Sequence, residues 1–146
     1  MHTKEFTDID GKKRVFEFKS FLCPTGFVYE ATEIHDGEPK GMRFSVLGKE
    51  GESEVLKHKL QEKVKKALTM KHVEYNKESD TWVTCDHTIR GQIRWDPKSE
   101  FRQKPLILVD GHELTWEEFG KAMLVYEGFQ FVLRFVDSSD DVMETT

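Results

Sequence analysis

The sequence predicts an α+β fold: a mainly antiparallel sheet, wound as a strand meander, with two helices packed on it. Three observations carry that expectation. Short runs of alternating apolar and polar residues follow one another through the first third of the chain, separated by Asp-Gly and Pro-x-Gly turns. A helical-period run without Gly or Pro fills residues 53–70. The stretch from Leu106 to Asp137 then reads as strand, Asp-Gly turn, capped helix and strand.

Each element has a local reason. Asp8-Ile9-Asp10-Gly11-Lys12-Lys13 is a hairpin turn, because Asp-Gly accepts the positive φ angles of a type I′ turn. The strand Val15–Leu22 follows, with Phe16, Phe18 and Leu22 on one face. Pro24 and Gly26 end it, the one lacking a donor and the other permitting reversal. Phe27–Ile34 and Met42–Leu47 are the next strands, joined through Asp36-Gly37. In the first helix Leu56, Leu60, Val64, Ala67 and Leu68 recur at helical spacing. Glu52 and Glu54 stand near its start and Lys63, Lys65, Lys66 and Lys71 near its end, as the helix dipole favours.

Asn76-Lys77-Glu78-Ser79-Asp80 is a polar break, so residues 76–81 are the expected internal boundary within one domain spanning residues 1–137. Thr81–Cys85 and Thr88–Trp95 are expected strands, the second with Ile89, Ile93 and Trp95 on one face and Arg90, Gln92 and Arg94 on the other. Leu106–Val109 is a short apolar strand. Thr115 caps the second helix, with Glu118 three residues on completing a capping box, and Gly128 supplies a left-handed C-cap. Phe129, Phe131, Leu133 and Phe135 line one face of a final strand, and residues 138–146 form an acidic flexible tail.

Composition narrows the function classes. A chain of 146 residues fits one domain. Charged residues reach 34%, yet eleven Phe and three Trp provide bulky core material that a disordered chain lacks. The net charge of −5 repels phosphate backbones and anionic membranes. The amino-terminal residues lack a secretory pattern, and no apolar run is long enough for a membrane span. Two cysteines, Cys23 and Cys85, fit a reducing compartment, so a cytoplasmic location is expected.

No catalytic, metal or nucleotide signature stands out, and no cofactor is expected. Cys85-Asp86-His87 lacks the paired ligands of a zinc site. A thiol–imidazole pair there needs a turn, since residues two apart on a strand have Cα atoms about 6.5–7 Å apart. The carboxylates near Asp10-Gly11 and Asp110-Gly111 follow from turn chemistry. Arg90 and Arg94 on one strand face are the candidates for an anionic ligand. Lys59, Lys63 and Lys66 align on the first helix as the candidates for phosphate contacts, against which the acidic total charge argues. The strongest signal is the second helix. Over residues 116–127 its apolar arc passes through Ala122, Tyr126, Phe119, Met123, Trp116, Gly120 and Leu124. It covers roughly 200°, about twice the stripe a surface helix needs. Either a second layer of the same chain or another subunit covers the excess. Trp116, Met123 and Tyr126 are the expected anchors of that interface.

Several segments resemble an uncharacterised family of small bacterial proteins. The matching pieces are Gly26-Phe27-Val28-Tyr29-Glu30-Ala31, Met42 to Gly48, Ile89-Arg90-Gly91-Gln92-Ile93 and Val109 to Gly120, running on into Tyr126-Glu127-Gly128-Phe129-Gln130. The resemblance implies a shared fold and a bacterial source, and carries no catalytic residue with it. The expectation from sequence is therefore a non-enzymatic intracellular interaction or regulatory domain that forms a homo-oligomer or binds a protein partner. A small anionic-ligand-binding domain or enzyme is the alternative, and weak nucleic-acid binding a second.

Overall fold

The computed structural model describes residues 2–100, 103–137 and Ser139. It is α+β, with antiparallel strands and two helices, but the strands form three small sheets of four, two and three strands instead of one meander. The chain divides into two compact units, Met1–Met70 with Phe135–Thr146, and Lys71–Arg134. The expected boundary at 76–81 falls inside a hairpin: Asn76 Oδ1 accepts the N–H groups of Glu78 and Ser79, and Asp80 takes a positive φ of 53°. The expected tail at 138–146 lies outside the described residues apart from Ser139.

In the first unit β1 (His2–Thr7), β2 (Lys13–Cys23), β3 (Gly26–His35) and β4 (Glu38–Gly48) pair in sequence order. Strand register places Phe16 and Phe18 of β2 opposite Glu33 and Ala31 of β3, and Tyr29 opposite Val46 of β4. That face buries Phe6, Phe16, Phe18, Tyr29, Ala31 and Val46 against Leu56, Leu60, Val64 and Leu68 of α1 (Ser53–Leu68). The helical repeat read from the sequence is thus the packing stripe. Leu22, expected beside Phe16 and Phe18, is 65% exposed near the end of β2, four residues past the last buried phenylalanine of that strand. The type I′ geometry expected at Asp10-Gly11 occurs instead at Asp36-Gly37, where both residues have positive φ. At the first turn only Gly11 does, and Asp8 Oδ1 organises the loop by accepting the N–H groups of Asp10 and Lys12.

In the second unit β5 (Val73–Asn76) pairs with β6 (Thr81–Thr84), while β7 (Gln92–Trp95), β8 (Pro105–Val109) and β9 (His112–Thr115) form the three-stranded sheet. Val73, Ile107, Val109 and Leu114 make its core, with Trp82, Ile89 and Phe119 packed against them. Asp110-Gly111, with φ of 54° and 83°, closes β8 onto β9. β7 begins at Gln92, not at Thr88. Gly91 precedes it, and a Cβ there would lie 2.2 Å from the Leu108 carbonyl oxygen, so this close approach requires glycine.

Thr115 does cap the second helix. Its hydroxyl accepts the Glu118 N–H at 3.1 Å and the Glu118 carboxylate accepts the Thr115 N–H at 2.9 Å. The helix itself, α2 (Trp116–Met123), is shorter than the expected 116–127: a 3-10 turn occupies Leu124–Tyr126, and Gly128 with φ of 86° turns the chain away. The final strand expected at Phe129–Phe135 does not form; residues 129–137 carry neither helix nor strand and all are exposed.

Candidate functional site

Two buried polar arrangements stand out, one in each unit. In the first unit the β3–β4 register shifts between Thr32 and Ile34, so that residues 40–42 of β4 bulge opposite the single residue Glu33 of β3, which is fully buried. Its carboxylate takes the Arg14 guanidinium through Nε and Nη2 at 2.5 and 2.9 Å, the Met42 N–H at 3.0 Å, and His35 Nε2 at 3.0 Å. Asp8 binds the same guanidinium at 3.1 Å. Burial raises the Asp8 pKa, but the N–H of Lys12, Arg14 and the N–H of Asp10 outweigh it and hold the carboxyl below its ordinary value. Gly41 stands over this network, where a Cβ would lie 2.5 Å from Glu33 Oε1. With both carboxylate oxygens of Glu33 engaged, the arrangement ties β2, β3 and β4 together, and the His35 imidazole is its half-exposed edge.

In the second unit Asp110, in the β8–β9 turn, clasps the residues that open β5. One carboxylate oxygen accepts the N–H groups of His72 and Val73 at 2.5 and 3.0 Å; the other meets His72 Nδ1 at 2.8 Å. Burial pushes the Asp110 pKa up, yet the His72 side chain and the two N–H donors prevail and lower it. An aspartate so placed orients an imidazole, as in acid–base dyads. His72 is itself only 4% exposed, however, so a dissolved substrate does not reach it. The pair is a clamp. Among the described residues no group of three or more His, Cys, Asp and Glu side chains could hold a metal ion.

The residues expected to bind an anion stand on either side of the start of β7. Arg94 lies on β7 opposite Leu106, with Nη2 3.5 Å from Gln92 Oε1, while Arg90 precedes the strand; both are half-buried. The shared strand face that would align them needs a strand starting before Gln92. Of the helix α1 lysines, Lys63 donates to the carbonyl oxygens of Ser45 and Ser139 at 3.1 and 3.5 Å. Lys59 is exposed and Lys66 half-buried. His87 sets its ring edge-on to Tyr126 and Phe129, and Cys85 is exposed. A recess of about 150 Å³ in the first unit, lined by His2, Phe18, Tyr29, Lys57 and Gln61 among others, is below the ~300 Å³ at which small-molecule sites begin.

Apolar exposure is what the second unit offers. Trp116 stacks on Phe119 yet stays 49% exposed, and Leu124 and Val125 at the end of α2 are 73% and 70% exposed. Met123 is half-buried. Tyr126 is used within its own unit: its hydroxyl hydrogen-bonds Thr84 and donates to the Asp86 carbonyl at 3.3 Å. Of the helical arc only Ala122 is fully buried. β7 turns the expected way round for alternation but not for direction: Ile93 and Trp95 face solvent, while Gln92 and Arg94 are half-buried. Phe129, Phe131, Val132 and Leu133 extend the exposed apolar run beyond the helix. The alternation of that run predicts a strand with Phe129, Phe131, Leu133 and Phe135 on one face.

The fold is α+β in two compact units, and each unit matches a family model. Residues 1–69 match the family model described as domain of unknown function DUF7686, and residues 72–140 match the one described as domain of unknown function DUF7713. The seam between the two matches falls where the chain divides into its compact units. No curated protein matches the chain, and no solved structure does. No helix among the described residues is long and apolar enough to cross a membrane.

Proposed function

We propose that this protein is a non-enzymatic interaction or regulatory domain that self-associates through its second unit, at the end of α2. The observation that supports it is the exposure of Trp116, Leu124 and Val125, followed within a few residues by Phe129, Phe131, Val132 and Leu133. Apolar surface on this scale on one small unit marks a binding face. On this reading the protein works in the bacterial cytoplasm as a homo-oligomer, where Cys23 and Cys85 stay reduced thiols.

Sedimentation velocity across micromolar concentrations tests the proposal. The expected result is a concentration-dependent shift from monomer to dimer. Replacing both Leu124 and Val125 by Asp is expected to abolish that shift while leaving far-UV circular dichroism unchanged, because both side chains already face solvent. A protein that stays monomeric throughout would rule the reading out.

A further inference from the structure

We infer that Phe129–Phe135 is an interface strand: it pairs antiparallel with the same segment of a second copy, about a two-fold axis at Val132. This deepens the self-association reading and rests on it, while naming a different element as the main contact. The segment has the sequence of a strand, Phe129-Gln130-Phe131-Val132-Leu133-Arg134-Phe135, and none of its residues enters a strand in its own chain. Its root is fixed. The Phe129 N–H donates to the Tyr126 carbonyl at 2.8 Å, and the Phe129 ring packs edge-on against Tyr126 and His87 at 5.3 and 6.0 Å. From Gln130 onward the run stands in water, Phe131 86% and Val132 90% exposed.

The occupant follows from area and register. Phe129, Phe131 and Phe135 together present roughly 300–550 Å², taking 150–250 Å² for each ring and their exposures of 61, 86 and 70%. Leu133 adds to that face, and with Leu124 and Val125 at the end of α2 the exposed apolar surface approaches the ~800 Å² that each partner contributes to a stable interface. A two-fold contact requires a surface complementary to itself. Centred on Val132, antiparallel pairing sets Phe129 opposite Phe135, Phe131 opposite Leu133 and Gln130 opposite Arg134. All four large apolar positions then share one face, and each arginine meets a glutamine instead of the other arginine. A slip of one residue would mix the two faces, which a sheet with one buried side resists.

Cysteine cross-linking reads the register directly. In a full-length background carrying Cys23→Ser and Cys85→Ser, Val132→Cys places two thiols opposite each other, within the Cα separation a disulfide accepts. Oxidised glutathione is expected to convert this variant to a covalent dimer, and to leave Gln130→Cys alone and Arg134→Cys alone largely monomeric. Mixing those two single variants is expected to restore the covalent dimer. Val132→Pro is expected to raise the dimer dissociation constant more than about tenfold, since proline holds φ at about −65°, far from the roughly −140° of an antiparallel strand, and has no N–H for a ladder. A dimer by sedimentation that neither cross-links at Val132 nor responds to Val132→Pro would overturn the strand pairing and leave self-association standing. A monomer at all concentrations would overturn both, and would assign the segment to a different protein.

Discussion

At the scale of single residues, stability rests on two carboxylates that the chain buries. Asp110→Ala strips acceptors from the N–H groups of His72 and Val73 and from the imidazole. Charge-assisted bonds of this kind contribute about 1.5–3 kcal/mol, so a loss of roughly 3 kcal/mol in chemical denaturation is expected. The pH dependence follows in sign. Because the folded Asp110 pKa lies below the unfolded value of about 3.9, its contribution is complete above that value and is lost as pH falls through the folded one. Asp110→Asn is therefore expected to flatten this part of the acid limb, measured as midpoint against pH. Glu33→Ala takes one carboxylate away from the buried Arg14 guanidinium. Breaking a buried pair from one side costs about 3–5 kcal/mol, which thermal unfolding would report. Turn chemistry explained why aspartates stand at residues 8 and 110. Their long-range partners were not legible, because no local pattern encodes a contact such as that between Asp110 and His72.

At the scale of elements, local rules worked where the cause was local. Thr115 and Glu118 form the expected box, and Thr115→Ala is expected to cost about 1 kcal/mol, seen as a lower denaturant midpoint with unchanged slope. The stripe of α1 packs as its spacing dictates. Periodicity failed where the answer depends on what lies opposite. Alternation in β7 shows which residues share a face, but not that Ile93 and Trp95 on this edge strand point to solvent. Likewise Phe129–Phe135 has the composition of a strand and no partner among the described strands, since pairing is a property of two segments. The bulge opposite Glu33 is silent for the same reason: the two extra residues of β4 are visible only against β3.

At the scale of the whole molecule, the fold class was legible and the number of cores was not. Residues 76–81 have the composition of a linker, yet the division lies between Met70 and Lys71, in the short stretch between α1 and β5. Each unit has its own apolar cluster, the first around Phe16 and Leu60 and the second around Val109 and Leu114. A chain starting at Lys71 and running to Thr146 is accordingly expected to melt cooperatively by circular dichroism; a sloping trace without a transition would show that the second unit needs the first. The bare run Phe129–Phe135 has a last consequence, for the handling of the protein. Rich in β-formers, free of proline and carrying a single cation at Arg134, it has the makings of a fibril-forming segment, with that arginine as its gatekeeper. Arg134→Val is expected to shorten the lag of thioflavin-positive aggregation in concentrated, warmed samples.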